Sequence, residues 1–277
     1  MMPRLDFDIY PGLPSNYYSR VYRDLFLLAS DLTMASTNPS SEDAVQLFKD
    51  LEQSFPIQTL GEARWYILAI AAITGGGHPG FAKELYLYLI SKPQYQTPEQ
   101  RQALMRRLRE ALVKLVSVVG VPKPLEAVFS MGEVEREEDK DYSFSREHWQ
   151  SGPANQQRGR DWLAQIYRHN DTTTAAMMSA HKDLRWLSIE ITYGLYLSDH
   201  TILDPVDTEL FVLSGIMLQN LARETGWHLR GTRRIGVSFG DVEVIQQCIE
   251  KVAAFCGLQL TRVPRVKDIE HEVDEEA

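Results

Sequence analysis

The segment from Asp204 to Gly240 constrains the fold most, because several helix signals follow one another in it. Asp204 is a good N-cap residue, and Pro205 suits the first helical position, where its missing N–H costs nothing. Apolar residues then recur at steps of three and four, which predicts a helix with one buried face that ends or kinks near Gly226. A second helix follows, and Ser238 caps a third. The segment therefore predicts three consecutive helices.

The same segment carries side chains suited to proton transfer. Glu224 and His228 are four residues apart, so they share a helix face only if the helix continues through Gly226. Glu209, on the preceding helix, reaches the same point if the two helices form a hairpin. A carboxylate bound to the imidazole would fix its tautomer and prepare a proton shuttle. The alternative is that both glutamates are exposed helix acids and His228 is a hydrogen-bonded residue near the core.

The order of residues here resembles the core of the carboxymuconolactone decarboxylase and AhpD-like superfamily, over roughly residues 158–257. The resemblance is carried by Glu209, a hydrophobic helix, the run Trp227-His228-Leu229-Arg230-Gly231, and Gly236-Val237-Ser238 before a helix that begins Asp241-Val242. Redox members of the superfamily have a Cys-x-x-Cys pair that ends four residues before the histidine. Leu221 and Glu224 occupy those two positions in this chain. Without two thiols, peroxidase or disulfide reductase chemistry is not expected.

The resemblance implies an all-α, AhpD-like helical fold and a cofactor-independent enzyme of the decarboxylase type, a lyase or isomerase. Its substrate would be a small organic acid, lactone or polyketide-like compound. His228 would be the acid–base residue and Glu209 or Glu224 would orient it. Arg230 would anchor a substrate carboxylate, although two helical residues span about 200° and place it on another face from His228. Trp227 would contact substrate, or else pack in the core or at a subunit interface.

A second hypothesis is a catalytically degenerate family member that serves as an oligomeric scaffold or a ligand-binding protein. This hypothesis expects His228 to be packed away from any cavity, whereas a polar pocket that holds His228 and a carboxylate favours the enzyme. Because superfamily members commonly form trimers or hexamers, a homo-oligomer is expected under both hypotheses, and dimers and trimers of this chain are both open.

The two halves of the chain resemble each other, which suggests two tandem pseudo-repeats. Glu62 is followed by an apolar helix, a glycine-bearing break, a short helix and a capped long helix ending at Gly120, in parallel with Glu209 through Gly257. The residue 19 positions after Glu62 is Phe81, so the first repeat lacks a counterpart of His228 and is expected to be degenerate. The predicted organisation is an N-terminal repeat (1–132), a polar linker (133–157), a C-terminal repeat (158–266) and an acidic tail (267–277).

Other helices follow from the same rules. Apolar residues predict a helix from Asn16 to about Ala35 and another from about Thr172 to Leu197. Thr97 opens a long helix that Gly120 ends.

The charge run of the linker and the end of the chain are expected to be solvated. Acidic residues dominate positions 133–141, which is typical of a solvated linker, although Tyr142, Phe144 and Trp149 would pin part of it to the surface. The stretch from Ile269 to Ala277 is expected to be a disordered tail.

Composition excludes several classes of function. The chain has 277 residues and a net charge of −9, and it lacks the clustered Lys and Arg of a nucleic-acid surface. Its histidines and cysteines have no metal-ligand spacing, and no cofactor fingerprint is present, because the glycine-rich loop from Gly75 to Gly80 matches neither phosphate-binding motif. Neither a cofactor nor a metal is therefore expected, and the small-molecule substrate remains what the family resemblance implies.

The sequence also favours the cytoplasm. Cys248 and Cys256 lie eight positions apart on one predicted helix, too far to bridge, and are interpreted as core residues in a reducing compartment. No apolar run approaches the ~20 residues that span a bilayer, and the first residues lack the apolar region of a secretory signal.

Overall fold

The structure, a computed structural model, describes residues 39–168 and 170–273, and these ranges contain helices and no strand. The predicted all-α class is therefore confirmed. The α-helices are α1 (Ser41–Ser54), α2 (Ile57–Leu60), α3 (Trp65–Gly75), α4 (Ala82–Ile90), α5 (Pro98–Val119), α6 (Pro122–Gly132), α7 (Pro153–Tyr167), α8 (Asn170–Met177), α9 (Lys182–Trp186), α10 (Pro205–Met217), α11 (Ala222–Arg234), α12 (Phe239–Phe255) and α13 (Val266–Ile269). The helix predicted between Asn16 and Ala35 lies outside the described residues.

The predicted helix starts are confirmed by their capping hydrogen bonds. The Asp204 carboxylate accepts from the backbone N–H of Asp207 at 2.8 Å, at the start of α10. Thr97 caps α5 through the backbone N–H of Gln100, and Ser238 caps α12 in the same way. These interactions span three residues, so the sequence alone contains both partners.

The predicted break at Gly226 is wrong. Helix α10 ends earlier, at Met217, and the chain reverses through a turn in which Asn220 has a φ of 55°. Helix α11 then runs through Gly226 without interruption. Asparagine tolerates this left-handed conformation, so it supplies the turn, whereas a single helical glycine costs only about 1 kcal/mol.

Helices α3 and α10 form the centre of the core and pack against each other. Every residue of α3 is buried, and so is nearly all of α10. A Cβ added to Gly75 at the end of α3 would lie 3.5 Å from the Cα atom of Gly215, so the two backbones approach closely there. The α10–α11 hairpin is thereby fixed to the middle of the molecule. No helix in the described ranges is long and apolar enough to cross a membrane.

The polar linker is less solvated than its composition predicts. Asp139 is fully buried and forms an ion pair with Arg101 of α5, at 2.8 Å. Asp141 accepts from Arg109 at 2.5 Å. Residues 153–157 are already part of α7. The acidic run therefore folds onto α5 because that helix presents arginines toward it.

The linker aromatics divide into two groups. Trp149 stacks against Arg158, whose guanidinium carbon lies 4.3 Å from the ring centroid. Tyr142 and Phe144 are exposed, so the prediction that they pin the linker is wrong for both.

The expected disordered tail is folded as far as the structure describes it. Helix α13 and a 3₁₀ turn (Glu270–Glu272) occupy this stretch, and Ile269 and Val273 are buried. Residues 274–277 lie outside the described part of the chain.

The helix predicted from Thr172 to Leu197 is divided. Helices α8 and α9 are separated by a turn, and α9 continues into a π-helix (Leu187–Leu197). This π-helix packs against α7, where Asn155 donates to the carbonyl of Glu190 at 2.7 Å.

Candidate functional site

The α10–α11 hairpin brings Glu209 and His228 into direct contact. Nδ1 of His228 lies 2.9 Å from Oε2 of Glu209, and the two side chains are 4% and 0% exposed. Gly231, one turn after Trp227 on α11, leaves room for the carboxylate, since a Cβ there would lie 3.2 Å from the same Oε2. The hairpin that Glu209 needs in order to reach His228 is present in the structure.

This contact assigns the roles of the two imidazole nitrogens. When Glu209 is ionised it only accepts hydrogen bonds, so Nδ1 is the donor, and in the neutral form of the imidazole Nε2 is then an acceptor. Within the described residues, Nε2 has no hydrogen-bond partner. The other oxygen of Glu209, Oε1, is buried and also has no partner. The pair therefore contains an acceptor nitrogen and a buried carboxylate oxygen that a ligand could engage.

Glu224 does not orient the imidazole. It lies one turn before His228 on the same continuous helix and is half-buried, but Glu209 makes the bond to Nδ1. Of the two alternatives that the sequence left open, the geometry brings Glu209 to His228.

Tyr167 lies near His228 and is hydrogen-bonded to a second tyrosine, Tyr193. The ring centroid of Tyr167, at the end of α7, lies 6.1 Å from that of His228 and 5.8 Å from that of Trp227. Its hydroxyl is 3.0 Å from that of Tyr193 in the π-helix. Burial raises the pKa of Tyr167, so it remains a neutral hydroxyl at physiological pH. Trp227 is half-buried and packs edge-on against Tyr167.

No sequence signal marked these tyrosines. They lie on elements far from the hairpin in the chain, and an aromatic residue on an apolar helix face is usually a packing residue.

Arg230 faces the C-terminal segment and forms an ion pair with Glu272. Its Nε is buried without a hydrogen-bond partner, and burial lowers the pKa of the guanidinium. The prediction that Arg230 points away from the His228 face agrees with this placement. Tyr167 interacts electrostatically with Arg230, and its ring centroid lies 6.1 Å from that of His228.

The four cavities that we describe lie elsewhere. The largest, about 450 Å³, is lined by the loop around His78 together with Glu84. Another, about 360 Å³, lies between α5 and the linker around Arg146. None of the four is lined by Glu209 or His228.

Neither thiols nor a metal cluster accompany the pair. Burial raises the pKa of Cys248 to about 11 and that of Cys256 to about 12, which disfavours the reactive thiolate. Among residues 39–168 and 170–273, no group of three or more His, Cys, Asp or Glu side chains is arranged to hold a metal ion.

Comparison with known proteins gives one distant relative to report. The chain is 22% identical over 208 residues to Peroxisomal protein 2 of Schizosaccharomyces pombe, covering 70% of this chain and 87% of that protein. No protein-family model matches the sequence, and no solved structure matches it.

Lys114 of α5 is a buried lysine whose pKa is lowered. Its side chain is fully buried, and Nζ donates to the carbonyl of Asp199 at 2.5 Å and to Thr208 at 3.0 Å. Burial lowers the pKa of Lys114 to about 8. Such shifts are common at functional sites, but none of the four described cavities is lined by Lys114. We therefore interpret it as a structural group between the two halves.

This lysine predicts a pH dependence of stability. The folded chain releases the Lys114 proton at about pH 8, whereas the ordinary value is 10.5. The unfolded chain thus binds more protons between these values, so this contribution to the free energy of unfolding rises with pH. Urea unfolding measures the free energy of unfolding of the wild type and of Lys114→Met. The difference between the two should change by up to about 1.4 kcal/mol per pH unit in that window. Lys49→Met, at an exposed lysine, is the control. If the difference in free energy of unfolding between wild type and Lys114→Met did not change with pH, the lowered pKa of Lys114 would be contradicted.

Proposed function

We propose that the chain is an AhpD-like helical protein whose Glu209–His228 pair catalyses a cofactor-independent, lyase- or isomerase-type reaction on a small organic acid or lactone. The observation that carries the proposal is the 2.9 Å bond between two buried side chains, with Nε2 of the imidazole left as an acceptor. A carboxylate that orients a histidine in this way is a recurrent arrangement for proton transfer.

The proposed chemistry assigns one role to each group. Nε2 of His228 takes a proton from the substrate, or from water, and returns it to carbon after the enolate has formed. Glu209 holds the N–H of Nδ1 and stabilises the imidazolium while the proton is on Nε2. Developing enolate charge needs a nearby donor, and Tyr167, whose ring centroid lies 6.1 Å from that of His228, is the proposed source of that donor.

The tandem organisation belongs to the same proposal. Helices α3 and α10, which correspond in the two proposed repeats, pack against each other at the centre of the core. Phe81 occupies the position that corresponds to His228, so only the second repeat would carry the acid–base pair.

The first test is the tautomer of His228, measured by ¹⁵N NMR of the imidazole. In the wild type we expect the proton on Nδ1. Glu209→Leu should abolish that preference because leucine cannot accept the bond, whereas Glu224→Leu, a matched change on the neighbouring helix, should preserve it. A wild-type His228 with its proton on Nε2 would rule out the proposed pair.

A panel of small keto acids and lactones then tests the activity. For any compound that reacts, His228→Gln should lower kcat by about 10²–10⁴-fold, the usual contribution of a general acid–base group. His148→Gln, at an exposed histidine of the linker, should leave kcat unchanged.

The second candidate is a ligand-binding or oligomeric scaffold without catalysis. It is favoured by two observations: the described cavities do not reach His228, and Arg230 is already paired within the chain. Its signature would be that no panel compound perturbs the His228 ring while light scattering still reports a homo-oligomer.

The compartment is part of the proposal. The composition favours the cytoplasm, and the name of the relative suggests the peroxisome as the alternative. Imaging of the tagged full-length protein beside a peroxisomal marker distinguishes the two.

A further inference from the structure

We propose that a cavity between α7, α9 and the start of the π-helix binds a small phosphate monoester. The cavity, about 190 Å³, is one of the four described cavities, and neither Glu209 nor His228 lines it. The inference therefore concerns a second site, independent of the proposed acid–base pair. Its chemistry comes from three cations and a tryptophan that line the cavity: Arg160, Lys182, Arg185 and Trp186.

Helical spacing brings these side chains to one place. Gln156 and Arg160 are four residues apart on α7, so they share a face of that helix. On α9, Arg185 and Trp186 follow Lys182 by three and four residues, so these three share a face as well. Both faces line the same cavity, so groups from two helices reach one ligand.

None of the three cations is neutralised by a carboxylate. In the described part of the chain, the side chains of Arg160, Lys182 and Arg185 take part in no ion pair or hydrogen bond. Arg101 and Arg109 of α5, in contrast, are each paired with an aspartate. Acidic residues outnumber basic ones in this chain, 38 to 29, so three unpaired cations at one cavity indicate a site for an anion from solution.

The cations are open to such an anion. Arg160 and Lys182 are exposed, and Arg185 is half-buried. The site therefore needs no rearrangement of the fold before a ligand enters it.

The charge of the cavity favours a dianion. Glu190 lines it too, and the hydrogen bond from Ser151 lowers the pKa of this carboxyl, so Glu190 stays ionised. Three positive charges and this negative one leave two positive charges. A phosphate monoester carries about −1.5 to −2 at pH 7 and accepts through three oxygens, whereas a carboxylate carries a single charge. The phosphate therefore matches the cavity more closely.

Trp186 supplies a wall for the organic part of the ester. Its side chain is 53% exposed, and Ile189 lines the same cavity. An indole that remains half in solvent gains by stacking on a flat apolar group. Because a water takes about 30 Å³, the cavity has room for a phosphate and a short organic part. An aryl phosphate is the simplest molecule with both features.

The experiment is calorimetric titration of the full-length protein with phenyl phosphate, inorganic phosphate and benzoate. Phenyl phosphate should bind at least about fivefold more tightly than benzoate, the equivalent of one additional surface ion pair. It should also bind more tightly than inorganic phosphate, which lacks the ring. In NMR, phenyl phosphate should shift the indole N–H signal of Trp186, which is assigned by its loss in Trp186→Phe.

Variants test the individual groups. Arg160→Gln and Arg185→Gln should each weaken phenyl phosphate binding about fivefold, since each removes one ion pair. Trp186→Ala should lower the affinity for phenyl phosphate to that for inorganic phosphate. Arg262→Gln is the matched control, because this exposed arginine lines none of the four described cavities, and it should bind like the wild type.

Three results would overturn the inference. One is equal affinity for benzoate and phenyl phosphate, and another is that Arg160→Gln and Arg185→Gln bind like Arg262→Gln. The third comes from sedimentation with phosphatidylcholine vesicles, with and without phosphatidic acid. If the protein bound only the vesicles with phosphatidic acid, and no phenyl phosphate, the three cations would belong to a lipid-binding surface instead.

Discussion

Arg101→Met should lower the free energy of unfolding by about 3–5 kcal/mol at neutral pH, the usual cost of leaving a buried charge without its partner. Asp139 is fully buried, and its carboxylate is held by Nε of Arg101 at 2.8 Å. The other carboxylate oxygen lacks a partner, and the hydroxyl of Tyr86, which donates to Oδ2 at 3.5 Å, carries no positive charge, so neither replaces the lost cation. The same guanidinium also donates to the carbonyls of Tyr95 and Gln96, which adds to the loss. Urea unfolding monitored by circular dichroism measures the effect.

A double-mutant cycle separates the unpaired charge from the lost packing. Arg101→Met combined with Asp139→Asn should be more stable than Arg101→Met alone, because no charge is then left buried. Lys140→Met is the control in the same segment, since it removes the exposed pair with Glu137 and should leave stability near the wild-type value. If Arg101→Met and Lys140→Met behaved alike, Asp139 would have to be hydrated in solution.

The Arg101–Asp139 ion pair is a feature of the fold that local sequence patterns do not predict. Helix starts such as Asp204 and Ser238 are predictable because a cap and the N–H that it binds are three residues apart. Asp139 stands in an acidic run whose members look equivalent, and its partner is 38 residues away. Only the tertiary packing of α5 decides which acid is buried.

The same limit applies to the candidate site. Glu209 and His228 are 19 residues apart on adjacent helices, so the sequence made their contact a possibility that depended on a hairpin, with Glu224 as the alternative. Tyr193 and Glu272 come from distant segments, and neither carries a local signal. The prediction of a helix break at Gly226 was wrong because a glycine is compatible with a turn but does not require one. The turn is formed at Asn220 instead.

Gly159→Ala should lower the free energy of unfolding by about 3 kcal/mol, at the upper end of the usual cost of overpacking. A Cβ at this position would lie 2.6 Å from the carbonyl oxygen of Ile189 and 3.0 Å from the backbone N of Gly194. Both are backbone atoms of the π-helix, so no side-chain rotation can relieve the clash. Helix α7 and the π-helix would have to separate.

Gly226→Ala is the matched control in another helix interior. The nearest atoms to its Cβ would be 3.8 Å away, which is ordinary contact. Alanine should therefore stabilise α11 by about 0.5–1 kcal/mol through its better helix propensity. If alanine lowers the free energy of unfolding at Gly159 and raises it at Gly226, the cost at Gly159 comes from the close approach of the two helices. Changes of the same sign at both positions would contradict the tight packing of α7 against the π-helix.

Gly159→Ala also tests whether the packing of α7 against the π-helix positions the side chains of the candidate site. Helix α7 ends at Tyr167, and the π-helix contributes Tyr193, whose hydroxyl lies 3.0 Å from that of Tyr167. If Gly159→Ala separates the two helices, this hydrogen bond should weaken, and the ring of Tyr167 should shift against His228. The His228 ring signals in NMR should therefore change in Gly159→Ala and remain at their wild-type positions when a glycine far from α7, such as Gly132, is replaced by alanine. Unchanged His228 signals in a destabilised Gly159→Ala variant would mean that the hairpin alone positions the imidazole.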